Sequence, residues 1–127
     1  MPVIHISSMN DFVRRIDQNG KIIADFSASW CGPCNNIAPI YEDLSETYDK
    51  ISFLKIDVDS QSDIATLYNI TSLPTFVFFN HGAQIHMIIG ADVNQLKSNL
   101  EKFNAEIDKK ISTMSESVKS KRCCLLI

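Results

Sequence analysis

The sequence predicts an α/β protein in which a central mixed β-sheet is flanked by helices on both faces. Short apolar runs alternate with segments of helical periodicity in the order β-α-β-α-β-α-β-β-α. Strands that are joined through helices pair in parallel, whereas a tight turn at 80–82 makes the last two strands an antiparallel hairpin. With 127 residues, of which 45% are hydrophobic, the chain has room for one core.

Apolar runs and a capping signal define the first elements. Residues 3–6 form a short strand. Ser7 or Ser8, followed by Asp11, predicts the N-cap of the first helix. Residues 21–27 are mostly apolar and contain one acid, a pattern that is expected for a strand buried on both faces.

Helical spacing and turn residues define the remaining elements. A second helix starts near Cys34, because apolar residues recur every three or four positions after it: Ile37, Tyr41, Leu44 and Tyr48. The other predicted elements are a strand at 51–58, a helix at 63–68, strands at 75–79 and 84–89, and a last helix from Asp92. The buried side of that last helix comprises Leu96, Leu100 and Phe103.

Two cysteines, Cys31 and Cys34, lie in the run Trp-Cys-Gly-Pro-Cys between a predicted strand and a predicted helix. Two thiols at this spacing in the first turn of a helix can close a disulfide, and the positive end of the helix favours the thiolate of the first. Cys31 is therefore the expected nucleophile and Cys34 the expected resolving thiol. The alternative is a zinc site built from the cysteines at 31, 34, 123 and 124, but the strand and helix context favours a redox dithiol without metal.

Asp25 is the single acid of the apolar run at 21–27. An unpaired carboxylate inside a buried strand is costly in its charged form, so its pKa is expected to rise. A carboxyl group with a raised pKa is suited to carry protons near neutral pH.

These features resemble the thioredoxin family. The matching segments, in family order, are residues 25–34, Pro39, residues 53–59, residues 73–79, Gly82 and Gly90-Ala91. The resemblance covers about residues 1–104, which we treat as the domain, and leaves 105–127 as a C-terminal extension. It implies the thioredoxin fold, reduction of protein disulfides, recharging by an NADPH-dependent thioredoxin reductase, and no bound cofactor besides the redox-active Cys31–Cys34 disulfide.

The resemblance also implies roles for residues around the dithiol. Asp25 matches a carboxylate that lies beneath the second cysteine and helps to deprotonate it, and Lys55 matches a lysine beside that carboxylate in some members. A solvated strand-end position is the alternative for Lys55, and the protein core is the alternative for Trp30. Pro74 matches a cis-proline that faces the dithiol and leaves the backbone of Leu73 free to pair with an extended substrate. The expected substrate-binding residues are Trp30, Gly32, Pro33, Leu73, Pro74, Gly90 and Ala91.

Position 35 departs from the family pattern. The residue after the second cysteine is usually basic in the family, whereas this sequence has Asn35 followed by Asn36. Loss of a cation beside the dithiol is expected to weaken thiolate stabilisation and to change the surface offered to reductases and acidic partners.

Charge and composition limit the classes of partner and the cellular compartments that are compatible with this sequence. Residues 1–104 carry a net charge of −5 and residues 105–127 a net charge of +2. An acidic body argues against nucleic acid as a partner, because phosphate binding needs clustered Lys and Arg. The N-terminus resembles no secretory signal or transit peptide, and no apolar stretch approaches the length of a membrane span. We therefore expect a cytoplasmic protein in a reducing compartment.

The C-terminal extension carries a signal of its own. Apolar residues at 107, 111, 114 and 118 continue the last helical stripe, whereas the serines among them favour a flexible linker. The run Cys124-Leu-Leu-Ile matches the C-a-a-X pattern for prenylation, with geranylgeranyl favoured over farnesyl. Cys123 is a candidate for palmitoylation, and three bases lie just upstream, so the segment is expected to meet a membrane surface. A chance match, or a regulatory disulfide of Cys123 and Cys124, is the alternative.

Two functional hypotheses follow from these patterns. The first is a thiol-disulfide oxidoreductase that reduces protein disulfides through Cys31 and Cys34, tethered to a membrane where its C-terminus is lipidated. The second is a membrane-anchored binding module with the same fold, in which the dithiol serves only as a redox switch. A luminal disulfide isomerase is disfavoured by the absence of a signal peptide and by Pro33.

Overall fold

The computed structural model describes residues 3–18 and 20–105, which form five strands and four helices. The strands are β1 (Ile4–His5), β2 (Lys21–Ser27), β3 (Ser52–Asp57), β4 (Thr75–Asn80) and β5 (Ala83–Ile89). The helices are α1 (Met9–Gln18), α2 (Gly32–Thr47), α3 (Ser62–Leu67) and α4 (Val93–Ala105). Each element predicted from the sequence is present, with boundaries that shift by a few residues.

The strands form one mixed sheet in the order β1-β3-β2-β4-β5. β3 pairs in parallel with both β1 and β2, whereas β4 pairs antiparallel with both β2 and β5. The predicted fold class is therefore confirmed.

The described residues divide into two compact units between Lys97 and Ser98, and the sheet with α1, α2 and α3 belongs to the first. No helix among the described residues is long and apolar enough to cross a membrane.

Alternate residues of β2 face different helices. Ile22, Ala24 and Phe26 belong to an apolar cluster that includes side chains of α1 and α3. Ile23 and Asp25 therefore face the opposite side, where the hydroxyl group of Tyr41, on α2, reaches the Ile23 carbonyl oxygen. The central strand is thus covered on both faces, and all seven of its residues are buried.

The structure selects Ser8 over Ser7 as the N-cap of α1. The backbone N–H of Asp11 donates to the Ser8 hydroxyl oxygen over 3.0 Å. The Asp11 carboxylate in turn accepts the backbone N–H of Ser7 over 3.0 Å and pairs with Arg14 and Arg15. The backbone hydrogen bond from Ser7 and the pairing with Arg15 lower the pKa of Asp11.

The predicted turn at 80–82 closes the hairpin of β4 and β5. Both central residues of the turn, His81 and Gly82, have positive φ angles of 51° and 86°. This combination is typical of the type I′ turn, whose twist matches that of the paired strands. The His81 amide donates to the Gly20 carbonyl over 2.7 Å and so connects the hairpin to the start of β2.

Candidate functional site

The two cysteines lie where β2 has ended and α2 begins. Cys31 is the N-cap residue of α2, and the backbone N–H of Cys34 donates to the Cys31 sulfur over 3.2 Å. Pro33 stands in the first turn, where a missing N–H costs no helical hydrogen bond. A disulfide joins the two cysteines, which are 6% and 2% exposed. The first sulfur therefore lies at the positive end of a helix, a position that favours its thiolate after reduction.

Asp25 lies in the centre of the sheet, on the face covered by α2. Its side chain is 1% exposed, and neither carboxyl oxygen has a hydrogen-bond partner among the described residues. Burial raises the pKa of Asp25 from 3.8 to about 7, and the positive charge of Lys55 opposes this shift only in part. The rise agrees with the sequence-based expectation. At neutral pH the group can therefore both accept and release a proton.

Lys55 is the direct neighbour of Asp25 across the parallel pair of β2 and β3. Its side chain is half-buried. It is therefore neither fully enclosed beside Asp25 nor fully solvated, as a lysine at a strand end would be. The ammonium group acts on Asp25 through its charge and not through a hydrogen bond, because both Asp25 oxygens lack a partner. The structure thus places Lys55 where it can bias the ionisation of Asp25.

Tyr41 is a further buried polar group on the same face. Its hydroxyl group lies 2.7 Å from the Leu54 carbonyl oxygen and 3.1 Å from that of Ile23, so its single proton is shared between β3 and β2. Burial, and then the negative charge of Asp25, raise the pKa of Tyr41 well above its usual value. Tyr41 therefore remains neutral while the nearby carboxyl group titrates.

An apolar groove of about 480 Å³ opens beside the dithiol. It is lined by Trp30, Cys31, Gly32, Pro33, Val58, Ile70, Thr71 and Leu73. Trp30 is 69% exposed, so it presents its ring to solvent and does not belong to the core. The indole N–H donates to the Asp59 carboxylate over 2.8 Å, which holds the ring along one side of the groove. An exposed flat ring in a fixed orientation provides an apolar contact surface.

Four of the expected substrate-binding residues line this groove and three lie next to it. The peptide bond between Leu73 and Pro74 is cis, as the resemblance implies. The Pro74 carbonyl oxygen accepts the N–H of Gly90 over 2.8 Å, which places Gly90 and the exposed Ala91 beside Pro74 but outside the groove lining. Within the described residues, neither backbone group of Leu73 bonds to another backbone group.

A second cavity, of about 410 Å³, lies at the carboxyl ends of β1, β2 and β3. We call it the polar pocket, and its lining comprises His5, Ile6, Ser27, Ala28, Ser29, Asn35, Lys55, Asp57 and Ser60. The side-chain amide of Asn35 donates to the Ser29 carbonyl oxygen over 3.1 Å. The residue that departs from the family pattern thus forms part of this pocket.

Sequence reasoning missed Asp59, the hydroxyl bond of Tyr41 and part of the groove lining. Val58 and Asp59 directly follow β3, and positions just beyond the carboxyl end of a parallel strand often carry site residues, so this signal was available. Ile70 and Thr71 gave no signal, because their position depends on the path of the chain between α3 and β4.

Among residues 3–18 and 20–105, no group of three His, Cys, Asp or Glu side chains comes together in a way that could hold a metal ion. The predicted prenylation of Cys124, the predicted palmitoylation of Cys123 and the predicted continuation of the last helix concern residues outside the described part of the chain.

Comparisons with known proteins agree with the geometry. The family model described as Thioredoxin matches residues 3–112. Thioredoxin 1 of Plasmodium falciparum is 44% identical over 100 residues, which cover 79% of this chain and 96% of the relative. A thioredoxin of Neurospora crassa is 37% identical over 123 residues, 91% of this chain and 97% of the relative. The crystal structure of a Malassezia sympodialis thioredoxin superimposes with a TM-score of 0.78 at 40% identity, covering 83% of this chain and 96% of that one.

Proposed function

This chain belongs to the thioredoxin family and is a disulfide oxidoreductase, and we propose that it reduces the disulfides of other proteins. The observation that carries the proposal is the Cys31–Cys34 disulfide at the start of α2, next to an exposed apolar groove. Such a pair can exchange its bond with a disulfide that is brought into the groove.

In the first step the Cys31 thiolate attacks one sulfur of the substrate disulfide. A bond forms between the Cys31 sulfur and that sulfur, the substrate S–S bond breaks, and the second substrate sulfur leaves as a thiolate that is protonated by solvent. The N-cap position of Cys31, with the Cys34 N–H directed at its sulfur, supports this assignment.

In the second step Cys34 resolves the mixed disulfide. Its thiol proton passes to Asp25, and the Cys34 thiolate attacks the Cys31 sulfur. The Cys31–Cys34 bond forms, the bond between Cys31 and the substrate sulfur breaks, and the substrate sulfur leaves as a thiolate that takes a proton from solvent. Two electrons have then passed from the dithiol to the substrate. The pKa of about 7 supports Asp25 as the proton acceptor, because the group is partly ionised at neutral pH. Lys55 modulates this step by favouring the ionised carboxylate.

Substrate binding uses the apolar groove and the exposed backbone beside it. The ring of Trp30 and the side chain of Leu73 offer apolar contacts, and the free backbone groups of Leu73 can pair with an extended segment. Gly32, Pro33, Pro74, Gly90 and Ala91 complete the proposed surface. An extended peptide next to the substrate disulfide is therefore the expected ligand.

We further propose an NADPH-dependent thioredoxin reductase as the partner that reduces the Cys31–Cys34 disulfide again. The proposed compartment is the cytoplasm, where thiols are kept reduced. Cell fractionation of the tagged full chain tests the location, and an organellar signal would contradict it.

Reduction of insulin disulfides by the full chain, with a thioredoxin reductase and NADPH, tests the activity. Cys31→Ser should abolish turnover because no thiolate remains to attack the substrate, whereas Cys34→Ser should accumulate a mixed disulfide. Wild-type turnover in Cys31→Ser would contradict the mechanism. A partner that remains bound and functional with the double variant Cys31→Ser, Cys34→Ser would favour the binding-module hypothesis.

For the C-terminal extension we propose lipidation of Cys124 and membrane tethering. Where Ile127 ends the translated chain, Cys124 and the residues after it fit the C-a-a-X pattern, with Cys123 as a second acylation site and three bases upstream. A single lipid binds membranes only marginally, so the second signal is needed for stable attachment. Intact mass of the protein from eukaryotic cells provides the test. Loss of residues 125–127 with an isoprenoid on Cys124 supports the proposal, and an unmodified Cys124 contradicts it.

A further inference from the structure

The proposed reaction assigns no ligand to the polar pocket, although this pocket adjoins the dithiol. Ala28 lines the pocket and packs in one cluster with Cys31 and Cys34. Asn35, which directly follows Cys34, forms part of its wall. A cavity of about 410 Å³ is in the size range of ligand-binding pockets. A substrate whose disulfide reaches Cys31 therefore carries its neighbouring residues close to the pocket.

Lys55 gives the pocket a positive charge that forms no close ion pair in the described part of the chain, although the Asp25 carboxyl group lies near it. The ion pairs found there join Asp11 to Arg14 and Arg15. The oxygens of Asp25, the cross-strand neighbour, accept no hydrogen bond. A half-buried ammonium group is less well hydrated than one on the open surface, so an anion that enters the pocket gains a stronger interaction.

The other polar groups of the pocket include hydrogen-bond acceptors, which complement the N–H groups that lie near an acidic side chain in a peptide. Asp57 accepts the N–H of Asp59 over 2.9 Å with one carboxylate oxygen, which leaves the other free to accept a further N–H. Asn35 donates through its amide nitrogen, which leaves its side-chain oxygen as an acceptor. His5 lies opposite Lys55 in the register and adds an imidazole to the same wall. Acceptors for N–H groups therefore stand beside a cation for a carboxylate.

From this arrangement we infer that the polar pocket is a specificity subsite for an acidic side chain of the substrate protein. Lys55 binds the substrate carboxylate, while Asp57 and Asn35 accept N–H groups of the same peptide segment. A free carboxylate without such N–H groups fits less well, because the Asp57 charge repels it. The inference rests on the proposed function, since it concerns the same substrates.

Paired disulfide peptides test the subsite in the full-length protein. The two peptides of each pair differ only in Glu against Gln, and this position is moved along the sequence on both sides of the disulfide. The value of kcat/KM should be about two- to five-fold higher for Glu in at least one position, the size expected for one partly exposed ion pair. Lys55→Gln should bring this ratio to one, and Lys55→Arg should retain most of it.

The Glu-to-Gln ratio separates the subsite from the other roles of Lys55. Because Lys55 also lies beside Asp25, Lys55→Gln should slow reduction of both peptides, and a purely structural role leaves their ratio unchanged. Lys50→Gln, at an exposed position between α2 and β3, is the matched control and should keep the preference. Reduction of the Gln peptides, which lack the acidic side chain, measures the proposed disulfide-reducing activity independently of the subsite.

Three results would overturn the inference. They are a ratio of one at all peptide positions in the wild-type protein, a preference that survives Lys55→Gln, and a preference that Lys50→Gln removes.

Discussion

The two faces of the central strand β2 differ in what they contribute to this protein: one face is apolar, and the other holds a buried carboxyl group. The face toward α1 and α3 carries Ile22, Ala24 and Phe26, which are fully buried among apolar side chains. The opposite face carries Asp25, which is buried as deeply but has no hydrogen-bond partner among the described residues. Apolar burial stabilises the fold, whereas burial of an unpaired carboxyl group opposes it. One strand therefore both stabilises the fold and holds a reactive group that destabilises it.

The largest expected effect on stability comes from a change on the apolar face. Phe26→Ala removes a fully buried ring that lies 6.2 Å from the ring of Tyr68, measured between centroids. We expect the free energy of unfolding to fall by about 3 to 5 kcal/mol, because the lost contacts leave a cavity. Urea denaturation of the oxidised protein measures the change.

A surface change provides the control for Phe26→Ala. Val13→Ala lies at an exposed position of α1 and should change the free energy of unfolding by less than about 0.5 kcal/mol. Equal effects of the two substitutions would mean that the apolar face is not the main source of stability.

Asp25→Asn tests the opposite face and should give the next largest effect, visible as a change in pH dependence. Between pH 3.8 and about 7 the unfolded chain releases the Asp25 proton and the folded chain keeps it. Wild-type stability should therefore fall as the pH rises through this window, by roughly 4 kcal/mol in total, and level off above it. Asp25→Asn should remove this fall, as measured by urea denaturation at several pH values.

The same variant should separate the two chemical steps. Formation of the mixed disulfide depends on Cys31 and should change little, whereas its resolution should slow and lose its inflection near pH 7. Rapid-quench measurement of both steps provides the test. Unchanged resolution rates across pH would reduce Asp25 to a tolerated polar group in the core.

The difference between the faces also explains what the sequence could and could not predict. The apolar run of β2 and its single acid predicted both the buried strand and the raised pKa, because these depend on burial alone. The helical stripe of α2 correctly placed Tyr41 in the core, but its hydroxyl bond to Leu54 depends on how α2 lies over the sheet. The sequence left Ser7 and Ser8 equivalent, and only the backbone geometry decided between them.

The polar pocket could not be predicted for a similar reason. His5, Asn35 and Lys55 are far apart in the sequence and meet only because β1 and β2 both pair with β3. Pairing order of strands is a property of the whole fold, and no local pattern encodes it. The groove residues Ile70 and Thr71 depend in the same way on the chain path between α3 and β4.

The smallest expected effect concerns Trp30, which belongs to neither face of β2. Asp59→Ala removes the acceptor of the indole N–H, so the exposed ring should lose its fixed orientation. We expect KM for a peptide disulfide to rise about two- to five-fold with kcat nearly unchanged, because only binding depends on the ring. The fluorescence of Trp30, the single tryptophan of the chain, should change in parallel.

Asp59→Ala removes both a negative charge and the acceptor of the indole N–H, so two control variants are needed to separate these effects. Asp49→Ala removes an exposed acid elsewhere and should leave both KM and fluorescence unchanged. Asp59→Asn keeps an acceptor oxygen without the charge and should restore most of the binding. If kcat falls instead of KM rising, Asp59 acts on the chemistry of the dithiol. The groups that influence the dithiol chemistry would then include Asp59, in the loop that follows β3, as well as Asp25 on one face of β2.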